Sequence, residues 1–94
     1  MSQALTAAQD KLRIRNEIKK CLVSKILYLS HTRLPTLPKS LLDLDIEIIQ
    51  KIRHIDISHN HITDLPKDFF NSLHSLVELW LNNNPLKSIP RYLN

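Results

Sequence analysis

Glycine is absent from this chain, and without it no glycine-rich loop can wrap a phosphate group. The tight turns that glycine usually eases must fall to Asn and His instead. Cys21 is the only cysteine, which excludes an internal disulfide and favours a reducing compartment. No apolar signal-like run opens the sequence, and Ser2 rather than Gly follows Met1, so no myristoylation motif is present. Nor does any apolar stretch approach the roughly 20 residues of a membrane-spanning helix. These absences point to a soluble, cytoplasmic chain. Its 94 residues make one small domain at most, although 43% hydrophobic content suffices for a core.

Charge is unevenly placed. Residues 1–33 carry seven Lys and Arg against Asp10 and Glu17, whereas residues 34–94 carry six basic against seven acidic groups. The net charge of +4 therefore belongs to the N-terminal segment.

What the chain does contain is repetition. In LVELWLNNNPLKSIP, Leu76, Leu79, Leu81, Asn84, Leu86, Ile89 and Pro90 make the pattern LxxLxLxxNxLxxLP with one Leu-to-Ile exchange. The pattern stands 24 residues earlier at Ile52, Ile55, Ile57, Asn60, Ile62, Leu65 and Pro66. A weaker copy, 28 residues before that, has Leu27, Leu29, Leu34, Leu37 and Pro38, with Thr32 in the place of Asn. Three copies in register are the mark of leucine-rich repeats, each of which buries its apolar face only against its neighbours. The expected fold class is thus α/β: a leucine-rich repeat solenoid with short parallel strands on the concave face and a capping helix at the N-terminus. Residues 1–24 form the cap and residues 25–94 the repeats, divided as 25–51, 52–75 and an incomplete 76–94.

The cap is expected as a helix over residues 6–24, opened by a Thr6-x-x-Gln9 capping box. Ala7, Ile14, Ile18, Cys21 and Leu22 form its apolar stripe, with Leu12 off it. Such a helix hides the open edge of a first repeat. A basic helix for acidic lipid or nucleic acid is the alternative, although its charges are not confined to one face and no aromatic residue is interleaved. Strands are expected at Ile26–Leu29, His54–Ile57 and Glu78–Leu81. Between the first two, Leu41, Leu44, Ile48 and Ile52 recur at helical spacing, which predicts an extra helical turn on the convex side. Phe69, Phe70 and Leu73 are expected to fill the core there, and Leu93 takes the position of Phe69 in the third copy. The Asn positions are expected to bridge adjacent coils, because an amide donates and accepts at once.

Few residues suggest chemistry. His31 and His59 occupy one column and could hold zinc weakly, but no Cys or clustered carboxylate completes such a site. Ser30 and Ser58 lie near His residues, yet lack an orienting acid and an oxyanion hole. No catalytic residue, metal or cofactor is expected, and neither is a small-molecule substrate. What remains is the strand face, where strand alternation points side chains outward in columns: Tyr28, Asp56 and Trp80; Ile26, His54 and Glu78; Ser30, Ser58 and Asn82; His31, His59 and Asn83. Tyr28, His54, Asp56, His59, Glu78, Trp80 and Asn82 are the candidate partner-binding residues, with Trp80 as anchor because Trp and Tyr are enriched at interface hot spots. Self-association through the open C-terminal edge is a further expectation.

Over residues 25–94, LxxLxLxxNxLxxLPxxLFxxLxxL with its apolar–Pro pairs Leu37-Pro38, Leu65-Pro66 and Ile89-Pro90 resembles the intracellular leucine-rich repeat proteins related to Ras suppressor and the Scribble-type scaffolds. A helix ahead of the first repeat also resembles the short leucine-rich-repeat-only proteins. The resemblance implies a non-enzymatic protein-interaction module, often an adaptor in small-GTPase signalling or polarity complexes. The chain departs from that pattern at Thr32, in its long first unit and in its few repeats, which implies a fragment or truncated isoform.

Overall fold

The computed structural model describes residues 3–87. Its elements run α1 (Gln3–Ser24), β1 (Ile26–Tyr28), α2 (Lys39–Leu42), α3 (Ile46–Ile49), β2 (His54–Asp56), α4 (Lys67–Asn71) and β3 (Glu78–Trp80). The three strands form one parallel sheet in the order β1-β2-β3. Its register pairs Leu27 with Ile55 and Ile55 with Leu79, as the aligned apolar positions require. Each strand closes one residue earlier than expected, since Leu29, Ile57 and Leu81 lie just beyond the ladder. Ile89, Pro90 and Leu93 lie outside the described residues.

Strand alternation sends Leu27, Leu29, Ile55 and Ile57 into one core, where all are at most 1% exposed. Opposite them, Leu41, Ile49, Ile52, Phe69, Phe70 and Leu73 come from the return limbs and complete the same cluster. Phe69 and Phe70 meet edge to face, with ring centroids 5.3 Å apart and planes at 86°, the arrangement that ring quadrupoles favour. Pro38 and Pro66 stand immediately before α2 and α4 with φ of −67° and −63°. There a fixed φ and a missing N–H cost no hydrogen bond.

The return limb between β1 and β2 corrects one expectation. Instead of one extra helical turn it contains two short helices, α2 and α3, separated at Asp43–Asp45. The break keeps Leu41 and Ile49 both buried while Leu44 is half-buried, so the acidic residues face solvent from the junction.

Two asparagines, Asn60 buried and Asn84 half-buried, hold successive repeats together. Asn60 Oδ1 accepts from Thr32 N at 3.0 Å, Leu34 N at 3.0 Å and Thr32 Oγ1 at 3.1 Å. Its Nδ2 donates to Leu29 O at 2.9 Å in the preceding coil, and to Ile57 O at 3.0 Å and Ser58 O at 3.1 Å in its own. One side chain thus satisfies backbone groups that irregular chain would otherwise bury unpaired. Asn84 repeats the pattern one coil later, accepting from Ile62 N and donating to Ile57 O and Leu81 O. Thr32 manages half of it, donating to Leu29 O at 2.7 Å while accepting nothing from an earlier strand.

Without glycine, His31, His59 and Asn83 take the left-handed turn after each strand, with φ of 57°, 55° and 60°. Lys25 and Arg33, which the sequence did not single out, are also left-handed. Lys25 closes α1: its N–H donates to Cys21 O at 3.0 Å, the single bond of a left-handed helix cap.

Helix α1 begins at Gln3, so Thr6 lies inside it rather than at its cap; the side chains of residues 3–7 are outside the described set. Ile18 and Cys21 are buried against β1 and Ile14 packs partly onto the core. Leu22, expected on the same stripe, is 39% exposed, because the contact is narrower than the sequence stripe and turns away before the last turn. The helix is also tied to the first coil by Arg33–Asp10 at 2.8 Å and by Arg13 donating to His31 O at 3.4 Å.

Candidate functional site

The outer face of the sheet is where the predicted binding residues fall. Tyr28, Asp56 and Trp80 are direct Cα partners across the three strands, as are Ile26, His54 and Glu78. Tyr28 is 53% and Trp80 54% exposed. Their rings stand outward for the reason that Leu27, Ile55 and Leu79 stand inward, since neighbours along a strand point to opposite faces.

Hydrogen bonds fix the polar members. Asp56 Oδ1 accepts from Ser58 N at 3.0 Å and Ser58 Oγ at 2.6 Å, which leaves Oδ2 for a ligand. Glu78 Oε2 accepts the indole N–H of Trp80 at 3.0 Å, and its Oε1 lies 3.6 Å from His54 Nδ1. Two carboxylates and two aromatic rings, with His54 between the strands, therefore border a shallow hollow of about 180 Å³.

Ser58 corrects the expected columns. It is buried, at 5% exposure, because its hydroxyl turns back onto Asp56; Asn82, at the same position in the next coil, is exposed. The sequence signal was Asp-x-Ser, in which an Asp side chain captures the N–H two residues on.

The histidine column lies beside this hollow rather than in it. His31 and His59 stack with ring centroids 4.2 Å apart and planes at 10°. Asn83 Nδ2 lies 3.2 Å from His59 Nε2. Parallel imidazoles direct their lone pairs side by side, whereas ligands to one metal must converge on it. Among the described residues no group of three or more His, Cys, Asp or Glu side chains gathers as a metal site. Cys21 is fully buried. Burial pushes its thiol above the usual value near 9 despite the opposing charge of Lys25, so it stays protonated and is a packing residue rather than a nucleophile.

No helix among the described residues is long and apolar enough to cross a membrane. No curated protein and no solved structure matches the chain. The family described as Leucine Rich repeats (2 copies) matches over residues 50–94, the span that supplies β2, β3, both bridging asparagines and Trp80. Domains of that family generally mediate protein–protein interaction and are typically without catalytic activity. By its asparagine-bridged parallel strands and this match, the segment 50–94 is made of leucine-rich repeats.

Proposed function

We propose that the outer face of the sheet is the concave surface of a short solenoid and binds a protein partner, with Trp80 as central anchor. Tyr28, His54, Asp56, His59, Glu78 and Asn82 surround it. The observation that carries this reading is the Tyr28–Asp56–Trp80 row, in which two large rings stand more than half exposed on the two outer strands, either side of Asp56. Aromatic side chains dominate interface energetics, and the core does not account for rings placed outward. The protein acts by binding, as a cytoplasmic signalling adaptor of the Ras-suppressor or Scribble kind; the use of a single cysteine, Cys21, agrees with that compartment. Residues 1–24 serve as the cap of a repeat array at 25–51, 52–75 and 76–94, whose β3 edge is open to self-association.

The rival reading, a basic helix for anionic surfaces, has less to work with. Of the seven basic residues in 1–33, Arg13, Lys20, Lys25 and Arg33 are engaged with His31 O, Glu17, Leu22 O and Asp10.

The test is a pull-down from cell extract with variants first checked by circular dichroism. Trp80→Ala should abolish capture of partners, since losing a hot-spot Trp costs about 2 kcal/mol or more of binding, while leaving the fold intact. Lys19→Glu with Lys20→Glu should leave capture unchanged. The opposite result, capture lost on charge reversal and kept in Trp80→Ala, transfers the function to the helix.

A further inference from the structure

Resting on that reading, we infer that the hollow on the sheet face recognises a basic side chain of the partner, and specifically an arginine. Size limits the ligand first. About 180 Å³ is well under the roughly 300 Å³ at which small-molecule pockets begin, yet it admits the head of one side chain.

Charge selects its sign. The chain carries a net +4, but the strand positions that face outward contain no Lys or Arg: the charged groups at the hollow are Asp56 and Glu78. Of the basic side chains beside the sheet, Lys25 donates to Leu22 O at 2.7 Å and Lys20 to Glu17 at 3.1 Å, while Arg53 precedes His54 and does not line the hollow. His54, the other titratable group there, lies 3.6 Å from Glu78 and would repel a cation only when protonated. A cationic ligand is thus matched to a locally acidic face of a basic protein.

Shape selects arginine among cations. Tyr28 and Trp80 flank Asp56 on either side, and two strand spacings, roughly 10 Å, separate the backbones that bear the rings. That span has room for one planar group between them. A guanidinium is planar, stacks on aromatic faces and pairs with carboxylate, whereas an ammonium is a compact, strongly hydrated point charge. The carboxylates are also preorganised. Ser58 holds one oxygen of Asp56 and the Trp80 indole holds one oxygen of Glu78, so Asp56 presents its other oxygen without further ordering and Glu78 presents its own beside His54.

Trp80 is the sole tryptophan, so its fluorescence reports on the hollow in the full chain. We would titrate three decapeptides that alternate serine with arginine, lysine or glutamate. The arginine peptide should change Trp80 emission saturably, the lysine peptide should bind at least about fivefold more weakly, and the glutamate peptide should not bind. Asp56→Asn keeps the oxygen that accepts from Ser58 while removing the charge, and should weaken the arginine peptide about tenfold. Unchanged affinity in Asp56→Asn, or equal binding of the lysine peptide, overturns the inference. Repeating the pull-down with Asp56→Asn separates it from the parent reading. If Trp80→Ala loses the captured partners and Asp56→Asn keeps them, the sheet face still binds protein and the arginine assignment alone falls. Retention by both variants removes both readings.

Discussion

At the β1 end of the sheet, Leu27 and Leu29 are fully buried because α1 lies against them. At the β3 end, Leu79 and Leu81 hold the same repeat positions and are only half-buried among the described residues. The residues are the same and the local geometry is the same; the neighbour differs. In a repeat protein the burial of a coil is set by what stacks on it, so stability is a property of interfaces more than of units. The N-terminal coil gains its partner from a helix that is not itself a repeat, through Ile18 and Cys21.

This contrast can be broken most severely at the asparagines. Asn60→Ala would strand the N–H groups of Thr32 and Leu34, and would leave Leu29 O to Thr32 Oγ1 and Ile57 O to Asn84 Nδ2. Each buried orphan costs about 1–3 kcal/mol, partly relieved by relaxation, so a loss of about 4 kcal/mol is expected, close to the whole stability of a small domain. Asn84→Ala, half-exposed where water can substitute, should cost about 1–2 kcal/mol. Urea denaturation followed by circular dichroism measures both; equal losses would mean that the two ends are not different in kind.

Truncating the matched leucines gives a smaller and sharper comparison. Leu27→Ala should cost about 3 kcal/mol, because it leaves a cavity between α1 and β2, and Leu79→Ala about 1 kcal/mol. A Leu79→Ala loss as large as that of Leu27→Ala would show that something covers the β3 end in solution. The smallest effect concerns association. Because an exposed strand edge pairs readily, sedimentation should show mass rising with concentration, and Leu81→Lys should reduce it. A chain that stays monomeric at high concentration, and melts cooperatively well above body temperature, contradicts an open edge.

Much of this was legible in the sequence. The spacing of Leu27, Ile55 and Leu79 determined the sheet register, and Asn60 and Asn84 were readable as bridges because one amide alone can serve donors and acceptors together. The absence of glycine pointed to Asn and His as residue types for the tight turns; His31, His59 and Asn83 are left-handed there, but so are Lys25 and Arg33, which are of neither type. Errors arose where tertiary contact overrides pattern. Leu22 fits the helical stripe but overshoots the area that α1 buries, and LLDLDIEIIQK has helical period yet bends at Asp43–Asp45 to keep Leu41 and Ile49 on one core. On the sheet face, alternation identified Tyr28, Asp56 and Trp80. It could not foresee that Ser58 would turn inward to Asp56, or that Glu78 would tether the indole, because both depend on side-chain reach rather than strand period.

The asparagine bridges also have a direction. Asn60 completes the coil that precedes it, supplying Thr32, Leu34 and Leu29, and Asn84 does the same for Ile62 and Ile57. Each coil is therefore finished by residues that lie about a repeat later in the chain. During synthesis, the backbone of one coil would wait, hydrated, until the next Asn left the ribosome. Assembly would then run as a sequence of deferred closures from the helix outward, each locking the coil behind it. A repeat added after β3 could extend the array only by bringing an amide for Leu81, just as Asn84 brought one for Ile57.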